Sequence, residues 1–580
     1  MMAEQRWRSW IELGTVGFLQ GTVLWMAQGH WPKEIAAQTP WVTLVVATIV
    51  FGLCFELAWT GRHRLRLLLL SVLTAALFAL LARWVWGQDM VGDSSDAFRI
   101  ASFLLAGPAT LYVFGPYLQC LQEQGNLRIT YDRLFAHSWN NFFIAALAAF
   151  FVGVFWGLLS LWAALFAMIK IDLFKQLFYS APFAWMSIFT AFGVGVALIR
   201  ENDRIILALR NVVLSLCHFL LPLLAGITLL FLASLPFTGL GPLWATKMAS
   251  ALLLSLAGVV ILFVNGVVQD RTDGLPYPFA VRRFVEVSLL ALPVLAGLVI
   301  HAIALRVIPY GLMPERVWGI FIAGIVSIYA AGYAGAFLLR RARWPLGLQA
   351  VNVVASIAII LVGIMAHTPL LDPLRLSARN QFNRLAQGRM RASEFDFGAL
   401  GFELGSVGRR KLEDLKKLAH HPEFLEIQKQ VRLVESLKSQ DQWVELRKKQ
   451  PRSALLASDL VVFPAETRVP DALLQAISWD LGTYAVTACA RSRRCVLTNL
   501  QLDDDPESEF VLVTNPDHVE LYDQVPEGDW RKHDFKIVGS FPYEKTQGDV
   551  VRDLKEGRFG PARLRYGPLR IGGKIYIIPE

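Results

Sequence analysis

The chain has 580 residues, 54% of them hydrophobic and only 18% charged, with mean hydropathy +0.44. Soluble globular domains hold roughly 45–50% apolar and about 25% charged residues, so this composition excludes an ordinary water-soluble protein and sets the apolar surplus against lipid. The net charge of +9 does not mark a nucleic-acid binder. From residue 370 onward 32 Lys/Arg stand against 31 Asp/Glu, while the first 369 residues hold 24 basic against 16 acidic, so the surplus lies between apolar stretches and reads as a topology signal.

A spanning helix needs about 20 apolar residues. Eleven stretches qualify, near 8–28, 41–60, 65–86, 99–121, 141–168, 178–199, 209–235, 245–268, 284–306, 316–339 and 345–367. The first is the least apolar and carries Glu12 and Gln20 within WIELGTVGFLQGTVLWMAQ. A cleaved signal peptide is the rival reading there. The interrupted apolar run and the lack of a small-x-small site near Gly29 favour a retained helix. Trp25, Trp31, Trp41, Trp59, Trp84 and Trp86 fall near span ends, as an interfacial belt requires.

With the N-terminus in the cytoplasm, 16 basic residues fall inside, among them Arg62, Arg64, Arg66, Arg200, Arg282, Arg283, Arg340 and Arg341, and 8 fall outside. This favours an inside start. An odd number of spans then carries everything after residue 370 across the bacterial inner membrane into the periplasm. Cysteine usage tests this separately. Cys54, Cys120 and Cys217 lie in spans, where a thiol behaves as a small apolar group. Cys489 and Cys495 flank ARSRR between the runs YAVTA and VLTNL, which read as two strands of a hairpin. A disulfide between them suits an oxidising compartment, and a pair of unlinked thiols is the alternative.

Two hairpins resemble each other. PLLAG at 222–226 and GLGP at 239–242 are matched by PVLAG at 293–297 and GLMP at 311–314, offset by 71 and 72 residues. An even number of spans separates equivalent points, so 209–268 and 283–340 read as parallel repeats and not the inverted kind. Pro108, Pro116, Pro182, Pro222 and Pro293 sit within spans and kink them, each kink marking a packing feature or a cavity.

Polar groups at bilayer depth are candidates for function. Glu12 and Glu56 lie within snorkelling reach of the cytoplasmic surface, and Glu286 pairs locally with Arg282 and Arg283. His218, His301, Asn265 and Asn352 are the candidate intramembrane polar site. Hydrogen-bonding glue between helices is the simpler reading of them and an ion pathway the sharper one.

Residues 370–450 read as a polar, helical juxtamembrane segment, with Leu412, Leu415, Leu418, Phe424, Ile427, Val431, Val434 and Leu437 at helical spacing and Pro422 dividing it. His420 and His421 are adjacent and point apart on a helix, so they read as surface. Residues 451–580 hold short strand-like runs and read as a small α+β domain with a mostly antiparallel sheet. The run LQLDDDPESEF sets Asp503, Asp505, Glu507 and Glu509 in alternation on a loop. These are the candidate metal ligands, for Ca²⁺, although the sharp-turn glycine is missing and an exposed acidic turn explains the run equally simply.

YGLMPERVWGI (310–320), RRARWP (340–345), DPLRLSARNQFNRLAQGR (372–389) and FDFGALGFELGSVGRRKLEDL (395–415) together resemble a family of bacterial polytopic membrane proteins known as domain-of-unknown-function family 4153. The resemblance implies a multi-pass bundle followed by an extracytoplasmic domain. In that family the later acidic loop looks like a fuller Asp-x-Asp-Gly run, from which this chain departs. The family carries no established activity, so the resemblance implies no catalytic residue.

The sequence shows no catalytic signature and no cofactor motif. The fold class is thus a polytopic α-helical membrane bundle with a C-terminal extramembrane α+β domain. The first functional reading is a non-enzymatic envelope scaffold whose outer domain binds a periplasmic protein or lipid ligand. The alternative is a transporter or lipid flippase using the kinked repeats. A lipid-donor glycosyltransferase is third, with Glu34 alone in the first outer loop and Asp89, Asp93 and Asp96 in the second as the acids it could use, without aromatic or histidine support.

Overall fold

The structure, a computed structural model, describes residues 2–61, 63–88, 94–125, 129–246, 248–269, 275–340, 344–392, 394–437, 439–449, 455–464, 466–492, 495–500, 509–515, 518–524, 530–534, 569–571 and 574–576. The chain forms two compact units, one of Met1–Met390 with Asp396–Val431, the other of Arg391–Phe395 with Arg432–Glu580.

In the first unit the helices run α1 (Met2–Gly29), α2 (Thr39–Leu57), α3 (Arg64–Trp86), α4 (Ser94–Gln124), α5 (Tyr131–Met168), α6 (Leu173–Phe178), α7 (Ala181–Arg200), α8 (Asp203–Thr238), α9 (Gly241–Ala245), α10 (Ala249–Val268), α11 (Phe279–Ser288), α12 (Ala291–Tyr310), α13 (Pro314–Arg340), α14 (Trp344–Met365), α15 (Pro373–Ala386) and α16 (Gly405–Leu415). Ten helices among the described residues are long and apolar enough to cross a membrane, with α11 and α12 counted together. The chain is thus a multi-pass membrane protein in which large side chains such as Phe150, Leu158, Leu223 and Leu230 stand exposed on helix faces. That pattern suits lipid as the solvent.

Lipid tails are as apolar as leucine, so spanning helices gain little by burying apolar area and associate through close packing. α1 shows how. Its Gly17 and Gly21 lie against the backbone of Phe189 and Trp185 on α7, and Gly193 of α7 lies against the Leu13 carbonyl. The register descends on one helix as it rises on the other, so the two are antiparallel. At one end Trp10 Nε1 donates to Glu201 (2.8 Å), and at the other Trp185 Nε1 donates to Gln28. A side chain at any of these glycines would meet backbone, which cannot move aside.

The helices gather in two groups. α1, α2, α5 and α7 share a core around Leu13, Trp59, Phe143, Ala148 and Val196, which α3 extends. α8 and α10 to α14 share another, around Leu221, Leu253, Leu292, Val299, Tyr333 and Trp344. The two hairpins matched in the sequence end their first helices alike. Gly239 and Gly311 both take positive φ (70° and 73°), and their N–H groups close onto Leu235 and Val307. They differ upstream. Pro222 lies inside a continuous α8, whereas the chain breaks between α11 and α12 at Leu289–Leu290, where Pro293 has no N–H for the Leu289 carbonyl.

α15 fastens the turn between α12 and α13. Helix ends leave carbonyls without partners, and here α15 supplies donors. Arg384 donates to the carbonyls of Ile308 (2.8 Å) and Pro309 (2.6 Å), and Gln381 Nε2 donates to those of Tyr310 and Leu312 (both 3.0 Å). Asn380 accepts from the Leu312 N–H at 2.9 Å. Gly311 lets α15 approach, since a Cβ there would stand 2.8 Å from Gln381 Nε2 and 2.9 Å from Arg384 Cδ. α15 itself starts with Asp372 capping the Leu374 N–H (2.9 Å), and Asp372 also meets Arg99 of α4 at 3.5 Å.

The helices α17 (Phe424–Ser436) and α18 (Gln440–Lys449) follow, with Pro422 between α16 and α17. Leu412, Leu415, Ile427, Val431 and Val434 are buried at the spacing the sequence sets. His421 is not free surface. Its Nδ1 accepts from the Glu423 N–H, which fixes the proton on Nε2, and Nε2 donates to the Leu385 carbonyl (3.0 Å).

The second unit holds α19 (Asp471–Ser492) and strands β1 (Val461–Phe463), β2 (Val496–Leu500), β3 (Glu509–Asn515), β4 (His518–Gln524), β5 (Trp530–Asp534), β6 (Leu569–Ile571) and β7 (Lys574–Tyr576). The main sheet has the order β1-β2-β3-β4-β5. Its β1–β2 pair is parallel and the rest are antiparallel, while β6 and β7 pair separately. Leu473, Leu474 and Ile477 of α19 pack on Leu497, Phe510, Leu512 and Tyr522, while Val496, Val511 and Val513 turn to the other face. Burial, with the carboxylates of Glu520 and Asp480 beside it, holds the Tyr522 phenol well above its ordinary range. The phenol therefore stays protonated and donates to Glu520 Oε2 (3.1 Å), while Lys532 meets Oε1 at 2.7 Å.

The expectation of a strand over TYAVTAC is corrected, because those residues belong to α19. The helical period set by Leu473, Leu474, Ile477 and Leu481 outweighs a short β-branched run. Cys489 and Cys495 do lie at disulfide distance, with Cα atoms 5.2 Å apart. They join the end of a helix to the start of β2 instead of bridging a hairpin neck.

Replacing Gly17 with leucine will displace α1 and lower the melting temperature of the purified protein. A thiol-reactive dye reads this through the buried Cys54, Cys120 and Cys217. The expected loss is at least about 1–3 kcal/mol, and an unchanged melt contradicts the packing described.

Candidate functional site

Asn265 and Asn352, far apart in sequence, meet inside the first unit. The Nδ2 of Asn352 donates to Asn265 Oδ1 (2.6 Å) and to the Tyr131 hydroxyl (2.7 Å). The Tyr333 hydroxyl lies 2.8 Å from Asn265 Oδ1 and 2.5 Å from Asn352 Oδ1. Four helices, α5, α10, α13 and α14, each contribute one member. Each group is buried or half-buried, and in a bilayer an amide or phenol must find its partner within the protein.

This network borders a pocket of about 520 Å³ between the two helix groups, walled by α4 and α5 on one side and by α8, α10, α13 and α14 on the other. Tyr112, Pro116, Tyr117, Phe135, Trp139, Phe142, Tyr329 and Ser356 line it beside Asn265 and Asn352, and among the described residues no charged side chain does. Tyr117 and Ser356 share a hydrogen bond of 2.5 Å, and Tyr112 donates to the Ser138 carbonyl at 2.9 Å. A second pocket of about 370 Å³ shares Tyr112 and Phe142 with the first. Gln119 and Asn141 in its lining exchange two hydrogen bonds, Gln119 Nε2 donating to Asn141 Oδ1 (2.9 Å) and Asn141 Nδ2 to Gln119 Oε1 (2.8 Å). Both pockets run along α4, where Pro108 and Pro116 leave the Leu104 and Tyr112 carbonyls without helical donors.

The two histidines proposed with the asparagines lie elsewhere. The His218 ring stacks on Tyr277 (centroids 4.4 Å apart), whose hydroxyl donates to the His218 carbonyl at 2.5 Å. His301 is exposed and faces Trp244 at 5.5 Å. Neither lines the pocket. Sequence reading missed Tyr131, Tyr333, Tyr117 and Ser356, although a hydroxyl within or beside a span needs a partner and is itself a signal.

A separate polar cluster ties α4, α13 and α14. His367 Nδ1 donates to the Gly363 carbonyl (2.8 Å), which leaves Nε2 to accept from Ser102 (3.1 Å), and Trp318 Nε1 donates to Ser102 (3.1 Å). On α11, Glu286 is buried and held by Arg282 (2.9 Å), Arg283 (3.0 Å) and Trp344 Nε1 (3.1 Å).

Two expectations about acidic groups are revised. Glu56 does not snorkel: its side chain is 1% exposed, enclosed by α1 and α7. Glu509 sits in β3, buried, opposite Leu500, which takes it off the acidic turn. Asp503, Asp505 and Glu507 lie outside the described residues, as do Asp89 and Asp93. Asp96 is buried in the first turn of α4, and Glu34 is exposed ahead of a short 3-10 turn.

The chain matches no family model, no curated protein and no solved structure with which it was compared.

Replacing Asn352 with leucine will strip partners from Asn265, Tyr131 and Tyr333 together. We expect a loss of about 1–3 kcal/mol, measured by thermal unfolding in detergent, against a smaller effect of His301→Leu on the exposed face. Equal effects would remove the network's structural weight.

Proposed function

We propose that the chain is an eleven-span membrane protein that binds an uncharged amphiphile, a lipid or lipid-like molecule, within its bundle and performs no chemistry on it. The carrying observation is the pocket wall, which is apolar and aromatic, with polarity supplied by phenols, amides, serine hydroxyls and an indole. Its volume of about 520 Å³ suits a small ligand or a segment of an acyl chain. Such a wall accepts hydrocarbon and can hydrogen-bond an ester, hydroxyl or amide, but it offers no counter-charge to a phosphate or ammonium group. Translocation of the same ligand is the second reading. The proline-freed carbonyls of α4 and the position of the pocket between two helix groups favour it.

The proposal includes a cytoplasmic N-terminus and a C-terminal unit in the periplasm of a bacterial cell, together with membership of the family that the motifs resemble. The 16-to-8 bias of basic residues supports this threading, as does a cysteine pair at disulfide distance. Support for an eleventh crossing comes from α1, which follows α7 through its length in antiparallel sense. First and sixth crossings of an alternating path run in opposite directions, as these two do.

Two measurements test the reading. Lipid retained by the detergent-purified protein is quantified by mass spectrometry for the wild type and for Val353→Trp, which fills the pocket and leaves the amide–phenol network in place. We expect about a tenfold fall in retained lipid, and equal retention in a folded variant would falsify pocket binding. For the threading, an alkaline phosphatase fused at the C-terminus should be active and a cytosolic reporter dark, with the reverse result inverting the map.

A further inference from the structure

We propose that Glu56 is a reversible proton-binding site, built where α1, α2 and α7 meet. This rests on a different part of the bundle from the lipid pocket and stands whether or not that pocket binds a ligand.

Glu56 lies on the last turns of α2 and is enclosed. Gly193 of α7 and Leu13 of α1 close over it, and a Cβ at Gly193 would stand 3.0 Å from Glu56 Oε1. The missing side chain at Gly193 is thus what makes room for the carboxyl group. Neither of its oxygens has a hydrogen-bond partner among the described residues. One turn earlier on α2, Gly52 makes room for Gln20 of α1, whose Oε1 is likewise unpartnered. The seam between α1 and α2 therefore holds two buried polar groups that contribute no hydrogen bond through those oxygens.

The charged groups carried by the neighbouring helices at this end are engaged elsewhere. Glu12 of α1 pairs with Arg64 of α3 at 2.6 Å. On α7, Arg200 donates to the Trp59 carbonyl, and Glu201 beyond its end accepts from Trp10 and Ser9. On α5, His137 and Arg133 face Glu123 at 3.4 and 3.8 Å. None of them is paired with Glu56.

A carboxylate without a counter-ion or donor is costly at this depth, so the enclosed group holds its proton. Releasing it, –COOH to –COO⁻ and H⁺, sets a bare charge between three closely packed helices. The ionised form can be accommodated only if water or a cation reaches it, and α1 is the element that must give way. Glu56 thereby links proton occupancy to the seating of α1, with water at the inner helix ends as the exchanging phase. A purely structural role accounts poorly for the residue, because a leucine or glutamine would fill the same space without a titratable group.

The test uses the full-length protein in lipid bilayers. Dicyclohexylcarbodiimide, an apolar reagent that adds to protonated carboxyl groups, is applied across a pH series and its adducts are mapped by mass spectrometry. The proposal expects an adduct on Glu56 near neutral pH and none on the solvent-reached Glu12, with the Glu56 yield falling at least about tenfold at the alkaline end of the series as the proton leaves. E56Q should lose this adduct. In parallel, the melting temperature of the wild type should drop relative to E56Q as pH rises, because the folded state binds a proton there that the unfolded chain has released. Absence of the adduct, a yield indifferent to pH, or parallel melting profiles for the wild type and E56Q would each overturn the proposal.

Discussion

In a bilayer the hydrophobic effect does not draw apolar helices together, and this constraint orders the first unit. What remains is close approach and the satisfaction of polar groups. The α1–α7 seam depends on the first. Glycines at 17, 21 and 193 bring backbone against backbone along α7, which holds α1, the least apolar of the stretches marked in the sequence. The same absence of side chains creates the enclosed space that Glu56 occupies. The pocket depends on the second, since amides and phenols from four helices satisfy one another at the boundary between the two helix groups.

The clasp of α15 on the α12–α13 turn shows why certain sequence motifs go together. YGLMP and DPLRLSARNQFNRLAQ are separated by about sixty residues, yet Gln381, Asn380 and Arg384 of one saturate the backbone of the other. A helix that ends at the membrane surface leaves several carbonyls exposed, and here a neighbouring helix supplies donors in fixed geometry. Gly311 is part of the same arrangement, through its positive φ and because a Cβ would collide with the clasping side chains.

Much of the architecture was legible because period and length are strong signals. The ten apolar helices coincide with stretches marked by composition alone, and the buried stripe Leu412–Leu415–Ile427–Val431–Val434 follows the helical spacing. The pairing of Cys489 with Cys495 was legible too, although its setting was not. TYAVTAC carries a local β preference that loses to the apolar period begun at Leu473. The site was half legible. Asn265 and Asn352 stand out in apolar sequence, but nothing local says that they meet each other while His218 and His301 turn elsewhere. Convergence of α5, α10, α13 and α14 is a tertiary fact, and tyrosines such as Tyr333 look like core until a partner for the hydroxyl is sought.

The chemistry of the pocket wall has an electrical consequence. Every polar group lining it is a neutral dipole, and voltage acts on a membrane protein through the charge that moves across the field, about 2.3 kcal/mol per elementary charge per 100 mV. Reorienting these phenols and amides displaces almost none. The energised state of the membrane therefore has no handle on this cavity.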